Sequence, residues 1–366
     1  MLLFTMSLGV TFFSLIAPKD KIQSKILLFF AWLLLAFNFT NPDYTNYEVQ
    51  YLHTTIRDLK FSISSEWLFS LLIICSKRIG FSYQQFFAVL GLVYVVMLDL
   101  ATTRLTKYKN IVLILHFFII LPLSIVQIRS SLGMVIVFWG LTILFDDSIE
   151  TKKAILYFIL LVLVASLIHQ ASLSFLIIIF ARILKKDKCI VVSLIGAGLL
   201  YFTTSPLMTL LQQYFASAKF AMWATRGFQT YNYSYAFVYA IVTILLYGAC
   251  SFIFKIDLEK KCNFGLLDGF QKTVLLLVVF LPMILRKQEW QRIFRLDILI
   301  AFVLLTWLLS VKAVFWKKAV GYILIIIALI LTFYITAFKS TSGNTTYFNA
   351  IYRAVFENNY IETFLE

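Results

Sequence analysis

The sequence predicts an all-α fold, a polytopic bundle of transmembrane helices with about 12 spans and a range of about 10–13. Of its 366 residues, 61% are hydrophobic and only 14% are charged, and the mean hydropathy is +0.89. Soluble domains carry about 25% charged residues. Alternating strand patterns typical of a membrane barrel are not visible, so the backbone groups must pair within helices.

Apolar segments recur along the whole chain, and most approach the roughly 20 residues of an upright span. They lie at about 2–17, 26–39, 81–100, 110–126, 131–145, 154–168, 171–184, 189–203, 235–256, 273–285, 296–311 and 318–338. Several are short, which predicts tilted packing or a locally thinned bilayer. No internal repeat and no Gly/Ser-rich or Pro-rich linker divides the sequence, so we expect a single integral-membrane domain over residues 1–366.

The distribution of Lys and Arg predicts the side of the membrane that each loop faces. If loop 18–25 is cytoplasmic, more than half of the 32 basic residues fall in short cytoplasmic loops, at 18–25, 101–109, 152–153, 182–188, 255–272 and 312–318. Both termini are then external, as are loops 40–80 and 204–234 and the C-terminal tail 339–366. This topology requires a re-entrant or interfacial segment near 61–76, because its apolar part is too short to span.

The charge and the motifs exclude several classes of function. A net charge of +14 is explained by basic cytoplasmic loops, so we expect the lipid bilayer as a partner and no nucleic acid. The four cysteines form no CxxC pair, and no Walker A loop or HExxH motif occurs. The external acids have no DxD spacing. We therefore expect no metal and no cofactor.

The first polar cluster runs from Asn41 to Tyr51, with Asn41 predicted as a helix cap and Pro42 in the first turn. Asp43, Tyr47 and Tyr51 then fall four residues apart on one helix face. A carboxylate beside aromatic rings suits a sugar, because the carboxylate accepts hydroxyl protons. The candidate sugar-binding residues are Tyr44, Tyr47, Glu48 and Tyr51. The alternative is a dipole-stabilising acid beside interfacial tyrosines.

Two later polar positions interrupt apolar runs. Arg129 lies in a hairpin between two predicted spans, where it either snorkels to the interface or meets a phosphate with its planar fork of donors. His169 interrupts the apolar stretch 154–184, which is too long for one span. A helix break at His169 and Gln170 solves this length problem. The histidine is then either a proton carrier or a satisfied core residue.

The densest external basic patch comes late in the chain. Arg292 and Arg295 are three residues apart and share a helix face, close to Arg286 and Lys287. Such a patch suits a diphosphate without a metal, or alternatively lipid headgroups. Arg353, after Tyr352, is a weaker candidate of the same type.

These clusters, in this order, resemble the EpsG-like family of Wzy-type polysaccharide polymerases. The matching motifs are Asp43 with Tyr47, Glu66-Trp67-Leu68-Phe69, Ile128-Arg129, His169-Gln170-Ala171-Ser172, Arg292 or Arg295, and Tyr352-Arg353. The resemblance covers most of the chain. The family's late arginine is usually followed by a tyrosine, whereas Leu296 and Asp297 follow Arg295 here, so Arg292 and Arg295 both stay open as the counterpart.

The resemblance implies a metal-independent membrane glycosyltransferase with a GT-C-like architecture in a bacterial inner membrane, with its active site facing the periplasm. It would move a growing glycan from undecaprenyl diphosphate to the terminal sugar of an incoming lipid-linked unit. Both donor and acceptor would be undecaprenyl-diphosphate-linked oligosaccharides, and a chain-length-regulating membrane protein is an expected further partner. The alternatives are a flippase or transporter of such lipids, and a ligase-like glycan transferase.

On this hypothesis the diphosphate is held by arginines, and an acidic or imidazole side chain takes the acceptor proton. The predicted diphosphate ligands are Arg129, Arg292, Arg295 and Arg353. The predicted catalytic residues are Asp43 first, then His169 and Glu66. The aromatic residues of loop 204–234 are predicted to cover the glycan.

Overall fold

A computed structural model describes most of the chain, and nearly all of the described residues are helical. The described residues are 2–38, 41–59, 61, 66–215, 233–256, 264–286, 288–313, 315–339, 341–342, 345–346, 348–353 and 355. The first eleven α-helices are α1 (Leu2–Ile16), α2 (Lys21–Ala36), α3 (Tyr44–His53), α4 (Trp67–Ile79), α5 (Tyr83–Leu105), α6 (Lys109–Ile119), α7 (Leu121–Val126), α8 (Ile128–Leu144), α9 (Thr151–Ile168), α10 (Ile179–Ile183) and α11 (Lys186–Phe215).

The later part of the chain continues the helical pattern. Its α-helices are α12 (Tyr233–Ile256), α13 (Phe264–Leu277), α14 (Leu281–Arg286), α15 (Arg295–Ser310) and α16 (Phe315–Phe333). Short 3-10 helices cover Ile56–Asp58, Gln170–Ile178, Val278–Phe280 and Gln288–Phe294, and π-helical turns cover Tyr334–Lys339 and Phe348–Arg353. Between the π-helical turns, β1 (Thr341–Ser342) pairs antiparallel with β2 (Thr345–Thr346).

The chain divides into two compact units, each of which is described by itself. Unit 1 comprises Met1–Ile143, Tyr157–Leu173 and Phe333–Glu366. Unit 2 comprises Leu144–Leu156 and Ser174–Thr332. The predicted single domain over 1–366 stays a prediction.

Six helical stretches of the described residues are long and apolar enough to cross a membrane: Tyr83–Leu105, Thr151–Ile168, Tyr233–Ile256, Phe264–Arg286, Gln288–Ser310 and Lys318–Lys339. Four apolar helices are shorter: Met6–Ile16, Lys109–Ile119, Ile128–Leu144 and Gln170–Ile183. The prediction of a helical membrane protein is confirmed, whereas the count of about 12 spans stays a prediction. Helix α4 has 13 residues and is too short for an upright span, and its re-entrant or interfacial placement also stays a prediction.

In unit 1, helix α5 packs closely on α2. The indole N–H of Trp32 donates to the Ala88 carbonyl at 2.9 Å. A Cβ on Gly91 would lie 3.0 Å from the Leu35 Cβ, so the missing side chain permits this approach. A buried polar chain lies further along α5, where the Tyr94 hydroxyl is 2.6 Å from His116 Nε2 and 2.9 Å from Ser124 Oγ. These contacts provide hydrogen-bond partners for polar groups whose burial without a partner would be unfavourable.

The apolar run 110–126 was predicted as one span, but the structure breaks it between α6 and α7. Pro122 lies in the first turn of α7, where its missing N–H is tolerated. The Tyr352 hydroxyl donates to the Ile119 carbonyl at 2.8 Å, at the end of α6. Tyr352 also packs with Leu123 and Val126 of α7, so the C-terminal π-helical turn holds the helix that precedes Arg129.

Two helix boundaries in unit 2 correct the predictions. Helix α11 continues to Phe215, so the first part of the predicted external loop 204–234 is helical. Residues 216–232, with most of its aromatic side chains, lie outside the described residues. Helix α13 begins at Phe264, inside the predicted cytoplasmic loop 255–272. Its charged residues Asp268 and Lys272 form an i,i+4 ion pair of 2.5 Å, which is compatible with a helix.

Gly269 in the core of unit 2 leaves no free space for an alanine side chain. A Cβ on Gly269 would enter the ring of Phe145, which is fully buried. We expect Gly269→Ala to lower the free energy of unfolding by about 1–3 kcal/mol through overpacking. Gly198→Ala is the matched control, because its Cβ would meet nothing within 4 Å. Thermal unfolding in detergent should show a loss for the first variant alone, and equal values would contradict this packing.

Candidate functional site

Glu66 occupies an unusual backbone position at the start of α4. Its φ is +49°, and it is the only non-glycine residue with a positive φ in the described part of the chain. Such a conformation costs about 1–3 kcal/mol and persists where surrounding contacts impose it, commonly at functional sites. The side chain is buried, with a relative exposure of 8% for the residue. This backbone turns a carboxylate into the interior of unit 1.

The Glu66 carboxylate joins three distant segments of unit 1. Its Oε2 accepts a hydrogen bond from the Arg129 guanidinium at 3.0 Å, at the start of α8. Its Oε1 accepts from the backbone N–H of Gln170 at 2.9 Å and lies 3.2 Å from Nδ1 of His169. We call Glu66, Arg129 and His169 the Glu66 cluster. Each of the three residues was predicted, but their mutual contacts were not.

Arg129 also contacts two aromatic rings. Its guanidinium carbon lies 5.0 Å from the ring centroid of Tyr47 and 5.1 Å from that of Phe69. Both separations fall within the range of cation–π attraction, which strengthens when the cation is partly desolvated. The Arg129 side chain has a relative solvent exposure of 19%. The carboxylate of Asp43 acts on the same guanidinium electrostatically.

The predicted helix break at His169 is confirmed, and it puts the imidazole beside the Glu66 carboxylate. Helix α9 ends at Ile168, and the 3-10 helix starts at Gln170, with the Ser172 N–H donating to the His169 carbonyl at 2.9 Å. Gly133 of α8 faces this turn. A Cβ there would clash with the Ser172 hydroxyl, so the glycine lets α8 approach the break closely.

The first polar cluster adopts a different helix start from the predicted one. Helix α3 begins at Tyr44, with Asp43 at the cap position, so Pro42 precedes the helix. The Asn41 side chain accepts from the Asp43 N–H at 3.1 Å, which is an Asx-turn and not the predicted cap. The Asp43 carboxylate makes no capping hydrogen bond at this helix end.

The predicted sugar-binding tyrosines also dock α3 onto α5. Tyr44 donates its hydroxyl to the Gln84 side chain at 2.9 Å, and Tyr51 donates to the Phe81 carbonyl at 2.5 Å. Tyr51 is only 4% exposed, and burial raises the pKa of its hydroxyl. Glu48 is half-buried. Their contact with a sugar stays a prediction.

The late arginines lie mostly in unit 2. Arg292 is half-buried in the 3-10 helix Gln288–Phe294, whereas Arg295 opens α15 and is 4% exposed. The Arg286 guanidinium lies 5.9 Å from the Tyr201 ring centroid. Lys287 lies outside the described residues, and Arg353 ends a π-helical turn of unit 1. The convergence of these residues on one cavity with the Glu66 cluster stays a prediction.

Sequence reasoning missed Phe69 and Asp297. Phe69 belongs to a motif that carries the family resemblance, but the motif does not indicate its contact with Arg129. Asp297 is fully buried in α15, and neither carboxylate oxygen has a hydrogen-bond partner in the described part of the chain. An acid inside a predicted span was the signal that could have identified it. The residues that the structure describes contain no group of three or more His, Cys, Asp or Glu suited to a metal.

Apolar helices of spanning length and a largely buried acid–arginine–histidine cluster define a helical membrane protein with a candidate site in unit 1. The chain belongs to the EpsG family, whose sequence pattern matches residues 21–352. EpsG-like proteins resemble Wzy-type polymerases, so the resemblance drawn from the motifs is confirmed. No curated protein and no solved structure matches the chain significantly.

Proposed function

We propose that the protein polymerises lipid-linked oligosaccharide repeat units. It would transfer the growing glycan from undecaprenyl diphosphate to the terminal sugar of an incoming lipid-linked unit, on the periplasmic face of a bacterial inner membrane. Membership of the EpsG family supports a glycosyl polymerase-like class. The observation that carries the proposal is the contact of Glu66 with His169 and Arg129. It brings a carboxylate and an imidazole, which can accept a proton from a hydroxyl, together in a protein of the glycosyl polymerase-like class.

The reaction would proceed by one substitution at the anomeric carbon. The acceptor oxygen forms a bond to this carbon as the bond to the diphosphate oxygen breaks, and undecaprenyl diphosphate leaves with the electron pair. The acceptor hydroxyl proton passes to a base, for which His169 and Asp43 are the candidates. The Glu66 carboxylate beside Nδ1 would orient the imidazole.

The leaving diphosphate gains charge as the bond breaks, and fixed cations stabilise that charge. We assign this role to Arg292 and Arg295, with Arg353 as a weaker addition. Arg129, also predicted as a diphosphate ligand, is left out of this role because its guanidinium contacts Glu66, Tyr47 and Phe69. No metal is invoked in this scheme.

The wider architecture is part of the proposal. It comprises about 12 spans in a GT-C-like arrangement, a single domain over residues 1–366 with external loops 40–80 and 204–234, and an external tail 339–366. A membrane protein that regulates chain length is the proposed protein partner.

The proposal is tested with purified protein in detergent and labelled lipid-linked repeat units. Lengthened glycans on the undecaprenyl carrier are the expected product. Transfer of the glycan to a different lipid would make the protein a ligase. Movement of the labelled lipid across vesicles without any new covalent product would make it a flippase.

A further inference from the structure

The Arg129 guanidinium already serves one protein carboxylate and two aromatic rings, although its buried Nε has no hydrogen-bond partner in the described part of the chain. The guanidinium donates to Glu66 at 3.0 Å and lies against the rings of Tyr47 and Phe69. A diphosphate that bound this guanidinium in its place would leave the Glu66 carboxylate buried without its cation. Breaking a buried ion pair in this way is strongly unfavourable.

The charge around Arg129 also opposes an anion. Glu66 forms the ion pair, and Asp43 acts on the same guanidinium electrostatically. With His169 neutral, as its role as a base requires, the formal charges of Asp43, Glu66 and Arg129 sum to one negative charge. Like charges repel strongly where the local dielectric is low, so an incoming diphosphate would be disfavoured here. Arg292 and Arg295 in unit 2 stay the candidate ligands for that group, because guanidinium groups bind phosphate oxygens through paired hydrogen bonds.

We infer that the Glu66 cluster receives the uncharged, hydroxyl-bearing terminal sugar of the acceptor, and that Arg129 is a positioning residue acting through Glu66 and not a phosphate ligand. This inference rests on the proposed polymerase function. Carboxylate and imidazole groups accept hydroxyl protons, which is the chemistry that an acceptor sugar requires. Arg129 fixes the carboxylate that in turn lies beside His169.

The kinetic test varies donor and acceptor separately in three variants, Arg129→Gln, Glu66→Gln and the double variant. We expect each single variant to raise the acceptor KM or lower kcat by about 10-fold or more, with the donor KM unchanged. The double variant should be no worse than the more severe single one, because the two residues act as one unit. Arg129→Lys should restore part of the activity because it keeps the positive charge.

The opposite assignment predicts a different pattern. If Arg129 binds the donor's phosphate, Arg129→Gln raises the donor KM, and if it binds the phosphate of either substrate, Arg129→Gln weakens inhibition by inorganic diphosphate by about 10-fold or more. Glu66→Gln then frees the guanidinium and tightens that inhibition. Either result would overturn the inference. Arg78→Gln, an exposed arginine after the apolar part of α4, is the matched control and should change neither constant.

A binding measurement separates this inference from the proposed function. Inorganic diphosphate is titrated into the purified protein by calorimetry. This measurement does not require the protein to turn over a substrate. We expect unchanged affinity in Arg129→Gln and about 10-fold weaker affinity in Arg292→Gln or Arg295→Gln. Weakening in Arg129→Gln, or no binding by the unsubstituted protein, contradicts the inference. A protein that shows the expected affinities but lengthens no glycan refutes the polymerase proposal alone.

Discussion

Glu66→Ala is expected to slow glycan lengthening by about 10-fold or more and to destabilise the protein. The substitution leaves the Arg129 guanidinium without its anion and the Gln170 N–H without its acceptor. Loss of one partner from a buried ion pair costs about 3–5 kcal/mol, and the lower end applies here because the pair keeps some exposure. Thermal unfolding in detergent and the length of the glycan product measure the two effects.

Two further variants separate the charge of Glu66 from its hydrogen bonds and its backbone strain. Glu66→Gln keeps an acceptor for the Gln170 N–H, so we expect a smaller stability loss with a comparable activity loss. Alanine carries a Cβ as glutamate does, so the strain at φ +49° is similar in Glu66→Ala. Glu66→Gly relieves that strain and should therefore be more stable than Glu66→Ala.

The matched control for removal of a carboxylate is Glu150→Ala. Glu150 pairs with Lys153 at 3.4 Å, and its side chain is 58% exposed. Exposed pairs contribute about 0–1 kcal/mol, so this variant should behave like the unsubstituted protein. Wild-type stability and chain length in Glu66→Ala would show that the Glu66 cluster has no role in folding or function.

Local features of the fold could be predicted because they depend on segment length and apolar runs. The break at His169 follows from a stretch too long for one helix, and the structure has it at that residue. Helix ends were less predictable. Helix α13 starts at Phe264 and contains the ion pair of Asp268 and Lys272. Low hydropathy predicts a loop for these residues.

The candidate site could be predicted as a set of residues but not as a set of contacts. Glu66 meets Arg129 across 63 positions and the Gln170 N–H across 104 positions. No local periodicity encodes a pairing over such separations. An arginine at an external hairpin suits a phosphate or a carboxylate equally well, and only the fold decides which one it meets. The sequence therefore identified Arg129 and predicted a diphosphate ligand, but it did not indicate the contact of Arg129 with the Glu66 carboxylate.

His169→Ala is expected to lower the rate of glycan transfer by about 10²–10⁴-fold, the usual contribution of a general base. The stability loss should be small, because Glu66 keeps its bonds to Arg129 and to the Gln170 N–H. Single-turnover transfer with saturating donor and acceptor measures the chemical step. His53→Ala, an exposed histidine of α3, is the matched control and should transfer at the normal rate.

Comparison with Asp43→Asn decides which side chain takes the acceptor proton. The Glu66 carboxylate lies 3.2 Å from Nδ1 of His169, where it can stabilise the imidazolium that proton transfer creates. This pairing favours His169 over Asp43 as the base, so we expect the larger loss in His169→Ala. A larger loss in Asp43→Asn, with near-normal transfer by His169→Ala, would instead make Asp43 the base and leave His169 as a ligand of Glu66.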